Sequence, residues 1–251
     1  MSPPPIALIT GASRGIGAAT ARLAAARGWA VAVNYQQRRD AADAVVQDIV
    51  RAGGDAITVA GDVGDEEQVV ALFEAVNRHW GRPLSALVNN AGVVDKPCRV
   101  EDMSGVRLER MFRINVLGSF YCAREAVRRM STLRGGAGGS IVNVSSGAAL
   151  LGAANQYVDY AASKGGLHTL VRWLAARFGG QGVLVNGVAP GITDTAMVGV
   201  HDLSAALAKH PLGRAARPEE IAWPIAFLCS PAASFVSGAI LDVNGGAMMR
   251  P

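Results

Sequence analysis

A chain of 251 residues fits one α/β domain of ordinary size or two small ones. Half of it is hydrophobic and 18% is charged, so a large core can be buried and global disorder is excluded. The net charge of +4 is scattered, with short clusters only at Arg38-Arg39 and Arg128-Arg129, which argues against a nucleic-acid partner.

Short apolar runs alternate with helical patterns along the whole chain. Residues 6–10 read as a buried strand, followed by apolar residues at helical spacing over 15–27. A second strand is expected at 30–35 and a helix at about 40–52, then a third strand at 56–61 and an amphipathic helix at 66–80. The pattern continues with a strand at 84–89, one long helix at about 106–130, a turn-rich stretch at 134–139 and a strand at 140–145. A long helix at 157–178, a strand at 183–188, a short helix near 203–209, a helix at about 219–228 and a last strand at 239–243 complete the reading. Strands of continuous Val/Ile/Leu character belong to a parallel sheet buried on both faces. Regular β-α alternation predicts a single doubly wound (Rossmann-type) parallel sheet of about seven strands, helices on both faces, in one domain over 1–251.

Cys98, Cys122 and Cys229 are far apart and in no paired motif, so disulfides and a zinc site are not expected and a reducing cytoplasm is. The segment Met1-Ser-Pro-Pro-Pro carries no basic residue, and the apolar run after it is too short for a signal core. No run approaches membrane-spanning length, so no membrane partner is expected. His79, His168, His201 and His210 have no metal-ligand spacing; they are expected on helix surfaces or near a substrate lid, with no metal bound.

The first strand runs directly into Thr10-Gly11-Ala12-Ser13-Arg14-Gly15-Ile16-Gly17, which opens a helix. Glycines let the backbone approach a phosphate, and a helix N-terminus offers free N–H groups and partial positive charge to it. The bland alternative is a glycine turn that only packs helix on strand. The second strand ends Asn34-Tyr35-Gln36-Gln37-Arg38 without the carboxylate that would bind a ribose 2′-hydroxyl. Arg14 lies within reach of a 2′-phosphate and Arg38 is placed to assist, which favours NADP with NAD possible. For Arg38-Arg39 a solvated helix start is the preferred reading over a direct phosphate contact.

Tyr160 and Lys164 are four residues apart on one helix face, in a chain with only three Lys (Lys96, Lys164, Lys209) among 24 basic residues. Chance would supply about 0.05 such pairs. A nearby cation stabilises a phenolate and lowers its pKa towards the range a general acid/base needs. An ordinary surface pair is the alternative. Upstream, a strand ends in Ser145-Ser146 at the sheet edge where ligands sit. A hydroxyl there can hold a substrate oxygen against the phenol, although strand-end serines are often plain hydrogen bonders.

With these motifs in order, and with Asp62-Val63, Asn89-Asn90-Ala91-Gly92, Asn115 and Pro190-Gly191 followed by Thr195, the chain resembles the short-chain dehydrogenase/reductase family over nearly its whole length. Its look is closest to 3-oxoacyl-(acyl-carrier-protein) reductases and glucose 1-dehydrogenase-like members. The resemblance implies a catalytic tetrad of Asn115, Ser146, Tyr160 and Lys164. Asn115 would hold a water through a helix irregularity, Ser146 orient the substrate, Tyr160 exchange the proton, and Lys164 bind the ribose and tune Tyr160. It implies cofactor contacts from Gly11, Ser13, Arg14, Gly15, Ile16, Gly17, Asn34, Tyr35, Asp62, Val63, Asn90, Ala91, Gly92, Tyr160, Lys164, Pro190, Gly191, Thr193 and Thr195. It implies a small-molecule carbonyl or alcohol substrate and a homo-oligomer, often a tetramer. Tyr160 follows Ser146 by fourteen positions, one more than the commonest family spacing, with the extra residue in the loop 152–159. Ser146 aligns best with the strand end; Ser145 is the other candidate.

A substrate lid is expected at 192–217, with 93–100 and 157–159 as further walls. Two other readings of the same scaffold are a non-catalytic NADP-binding sensor or structural protein, and a non-redox enzyme such as an epimerase or dehydratase.

Overall fold

A computed structural model describes residues 3–152, 156–197, 207–208 and 210–248. Seven strands, β1 (Ile6–Ile9), β2 (Ala30–Tyr35), β3 (Asp55–Ala60), β4 (Ala86–Asn89), β5 (Gly139–Val144), β6 (Val183–Pro190) and β7 (Ile240–Val243), form one sheet in the order β3-β2-β1-β4-β5-β6-β7. Every neighbouring pair is parallel. The helices are α1 (Gly15–Ala26), α2 (Arg39–Arg51), α3 (Glu66–Trp80), α4 (Gly105–Phe112), α5 (Gly118–Met130), α6 (Ala148–Leu151), α7 (Val158–Phe178) and α8 (Pro218–Leu228). The expected short helix near 203–209 lies largely outside the described residues.

Alternate strand residues point to opposite faces, and β1 shows the consequence. Ile6 and Leu8 pack with Phe73 of α3, Met130 of α5 and Leu167 of α7. Ile9 packs with Val31, with Val45 and Ile49 of α2, and with Ile221 and Ile225 of α8. Both faces are thereby buried, which explains strands that are continuously apolar. Local signals set the helix ends: Asp65 caps α3 by accepting from the Gln68 N–H at 3.1 Å, and Gly81 closes it at φ +61°.

Two elements differ from the sequence expectation. The single helix at 106–130 is α4 and α5 joined by a π-helical turn, Arg113–Leu117. The loop after β5 carries the short helix α6, whose one turn is too brief to show periodicity.

β1 lies between β2 and β4, so successive connections leave it in opposite directions and open a crevice at the carboxyl ends of β1 and β4. The turn at that point is built by Asn34, 2% exposed. Its Oδ1 accepts from the Gly11 N–H at 3.1 Å, while its Nδ2 donates to Val59 O at 3.2 Å and Gly61 O at 3.1 Å. One side chain thus ties the glycine turn to β2 and β3. Asn34→Ala removes three side-chain bonds to backbone groups, and urea unfolding is expected to show a loss of about 3 kcal/mol.

Candidate active site

Beyond β1 the chain turns through Gly11 at φ +60° and Gly15 at φ +55°, the left-handed region that a Cβ disfavours. The N-cap of α1 is Arg14, whose side chain caps nothing, and the first turn holds no acidic residue. The N–H groups there keep their hydrogen-bonding capacity for an anion. Arg14 is exposed and makes no ion pair among the described residues. Arg38, by contrast, grips Asp40 with two bonds of 3.0 and 2.9 Å, so it matches the solvated helix start. The two hydrogen bonds hold the Asp40 carboxyl at about 2.

Asn90 stands where β4 ends and braces the same turn, donating through Nδ2 to Thr10 O at 2.9 Å and Gly11 O at 3.0 Å. The Thr10 hydroxyl accepts from the N–H groups of Asn90 and Ala91. Gly17 belongs to this packing as well, since a Cβ there would lie 2.5 Å from Asn90 Nδ2. Side chains expected at the cofactor are therefore of two kinds. Asn34 and Asn90 spend theirs on the turn itself, whereas Ser13, Arg14 and Tyr35 line its open side with at least partial exposure. At the end of β3, Asp62 accepts from the Gly64 N–H at 2.8 Å and pairs with Arg113 at 3.2 Å, beside the buried Val63.

At the end of β5 the two serines separate. Ser145 is buried; its hydroxyl donates to Lys164 O at 3.1 Å and stands 2.8 Å from His168 Nε2. Ser146 is partly exposed, and its hydroxyl stands close enough to the Tyr160 phenol to favour the phenolate against burial. Ser146 therefore faces the crevice and Ser145 the core. His168, expected on a helix surface, is 6% exposed because it follows Lys164 by one helical turn on the buried side of α7. His79 is exposed on α3, His210 is partly buried, and His201 lies outside the described residues.

Lys164 is buried and donates to Val144 O at 2.8 Å. Its Nζ is 5.7 Å from the centre of the Tyr160 ring. The expected downward pull on the phenol is not seen. Burial pushes the Tyr160 pKa up, with the Ser146 hydroxyl opposing, and burial lowers Lys164 itself to about 8. Desolvation outweighs the cation at this separation.

Asn115 sits in the π-helical turn, the irregularity that had been expected, and is fully buried. Its Oδ1 accepts from the Val93 N–H at 2.8 Å and its Nδ2 donates to Val93 O at 2.9 Å and Ser163 Oγ at 3.0 Å. Gly92 lies between, where an added Cβ would come within 3.3 Å of both Asn115 Oδ1 and Lys164 Nζ. From β6, Pro190 O accepts from the Gly147 N–H and Gly191 donates to Val243 O. Thr193 is buried and bonds Gly191 O, while the methyl of Thr195 faces Gly15 across the crevice.

Two contacts escaped the sequence reading. Asp159, assigned to a cleft wall, is buried in an ion pair with Arg107 at 2.7 Å. Met248 reaches back from beyond β7, its methyl 3.5 Å from where a Cβ on Gly147 would stand. Neither carries a motif, because each depends on a partner far away in sequence.

A doubly wound parallel sheet with an uncapped, glycine-turned helix at its switch point defines a dinucleotide-binding class of protein. Residues 11–248 match the family described as enoyl-(acyl carrier protein) reductase. The chain is 47% identical over 245 residues to the uncharacterized oxidoreductase YgfF of Escherichia coli (strain K12), covering 96% of this chain and 99% of that protein. It is 43% identical to cis-4-hydroxycyclohexanecarboxylate dehydrogenase of Sinomonas cyclohexanicum, with 96% and 95% covered. A short chain dehydrogenase from Burkholderia cenocepacia J2315, solved in complex with NADP, superposes with TM-score 0.89 at 32% identity, over 96% of each chain. The chain belongs to the short-chain dehydrogenase/reductase family of oxidoreductases.

The two serines have separable roles in stability. Ser145→Ala removes the buried hydroxyl that donates to Lys164 O and meets His168 Nε2, and is expected to cost about 1–2 kcal/mol in chemical denaturation, against about 0.5 kcal/mol or less for Ser146→Ala.

Proposed function

We propose that this chain is an NADP-dependent oxidoreductase that moves a hydride between nicotinamide and a small carbonyl or alcohol, with Tyr160 as general acid/base. The observation that carries the reading is the convergence of Tyr160, Ser146 and Lys164 beside Asn115 at the crevice that the glycine turn opens into. The dinucleotide fits residues of this structure: the N-terminus of α1, which no side chain caps, and Ser13 suit the pyrophosphate, and Arg14, without an ion pair among the described residues, suits a 2′-phosphate. The end of β2 presents no carboxylate, which supports NADP over NAD, as does the NADP held by the Burkholderia relative. Gly15, Ile16, Tyr35, Asp62, Val63 and Asn90–Gly92 would flank the adenosine and pyrophosphate. Pro190, Gly191, Thr193 and Thr195 would flank the nicotinamide side.

Reduced cofactor, when bound, supplies the hydride. The phenol of Tyr160, kept neutral by burial, donates its proton to the carbonyl oxygen as charge develops there. Ser146 donates a hydrogen bond to the same oxygen and then to the phenolate. Lys164, as the ammonium, stabilises that phenolate and holds a proton to restore it; Asn115 fixes the segment at Val93 against α7. Alcohol oxidation runs the same transfers backwards. One domain would carry both sites, with 192–217 as the lid and 93–100 as a wall.

The family description names an enoyl-(acyl carrier protein) and the Sinomonas relative's name a hydroxycyclohexanecarboxylate, which share no one substrate; the proton-donor site supports carbonyls and secondary alcohols as the class. Among the described residues no helix is long and apolar enough to cross a membrane, and Cys98, Cys122 and Cys229 are free thiols. Both fit a cytoplasmic enzyme. Exposed Phe120, Trp173 and Phe235, at 49%, 60% and 103%, support assembly into a homo-oligomer, for which we propose a tetramer.

Nicotinamide absorbance with NADPH and NADH, across acetoacetyl thioesters, diketones, aldehydes and cyclic ketones, tests the reading. NADPH-dependent turnover is expected, and Tyr160→Phe should lower kcat by about a thousandfold or more while NADPH still binds. Retained turnover in that variant would refute the role of Tyr160. Arg14→Ala should raise KM for NADPH about tenfold and leave KM for NADH within about twofold. Because the Lys164 ammonium is lost above its lowered pKa, the rate of carbonyl reduction should fall as pH rises through about 8.

A further inference from the structure

Arg107, on the first turn of α4, meets Asp159, on the first turn of α7, with both side chains closed off from solvent at 12% and 0% exposure. The guanidinium fork is complete: Nε donates to Oδ2 at 2.7 Å and Nη2 to Oδ1 at 3.2 Å. Its remaining arm, Nη1, donates to Lys96 O at 2.7 Å. A second tie joins the same regions, from the Cys98 N–H to Gln156 O at 2.9 Å. Asp159 directly precedes Tyr160, whose backbone N–H also favours the charged carboxylate. No side chain caps α7, so this acid is its electrostatic anchor.

A buried ion pair adds little net stability compared with apolar residues of the same size, but it tolerates only one geometry. Arginine rather than lysine is needed here, since three of its donors are aimed at three fixed oxygens. We propose that Arg107 and Asp159 are positioning residues that lock the first turn of α7, and with it the Tyr160 phenol, to the 93–100 wall of the substrate cleft. The proposal rests on the reading of Tyr160 given above. It assigns to the pair the spacing between the proton donor and the wall against which a carbonyl substrate would lie, not a contact with substrate.

Hydrogen exchange on the ligand-free protein tests this without a known substrate. In Arg107→Met and Asp159→Asn, peptides covering 93–100 and 156–160 should exchange about tenfold faster, with β4 and β5 unchanged. Arg107→Lys, which keeps the charge and loses the fork, should also fail to restore protection, and it serves if the others do not fold. With the carbonyl that the parent reduces best, kcat should fall about tenfold while the NADPH dissociation constant stays within about twofold. In a Tyr160→Phe background the Arg107→Met loss should largely vanish, as a residue acting through Tyr160 requires. Parental exchange at both segments, or faster exchange spread evenly over the chain, overturns the proposal. Full turnover in Tyr160→Phe alone would instead overturn the proposed function and leave the exchange result standing.

Discussion

Past Ile9 the backbone keeps only the bonds of Thr10 N–H to Val88 O and Ala12 N–H to Asn34 O from its neighbouring strands, and its other polar groups must be satisfied another way. Asn34 reaches in from β2, Asn90 from the end of β4, and the Thr10 hydroxyl accepts two N–H groups in return. These bonds hold the glycine turn open and fix where α1 begins. If they were lost, the uncapped helix terminus would no longer face the crevice between β1 and β4. The arrangement spends two asparagine side chains on support so that backbone N–H groups remain for a ligand.

Charge is distributed on the same principle. Most arginines around the crevice are engaged: Arg38 with Asp40, Arg113 with Asp62, Arg107 with Asp159. Arg14 stands apart without an ion pair among the described residues, at the place where a phosphate could approach. Burial dominates the proton-transfer groups. It raises Tyr160 and lowers Lys164, so two groups of nearly equal free pKa are driven apart and the ammonium becomes the more readily deprotonated of the pair.

Asn115 links the halves of this arrangement. The π-helical turn between α4 and α5 rotates its side chain out of the helix ladder so that it can grip both backbone polar groups of Val93 and the hydroxyl of Ser163. The cleft wall, the π-helical turn and α7 are thus one hydrogen-bonded body behind Tyr160.

The parallel sheet, its seven strands and the glycine turn were legible in the sequence because each rests on local pattern: apolar runs of strand length, glycine spacing, and a Tyr-Lys pair at helical separation. The strand order, and with it the switch point between β1 and β4, came from the fold. What the tertiary structure decided depends on partners far apart along the chain. Only packing shows that Ser145 turns to His168 while Ser146 meets Tyr160, and that Asn34 supports the turn instead of lining it. The tuning of Tyr160 was misjudged because helical spacing gives proximity to Lys164 but says nothing of desolvation. Arg107 and Asp159, 52 residues apart, carry no motif, because an ion pair closed by the fold leaves no periodic trace in sequence.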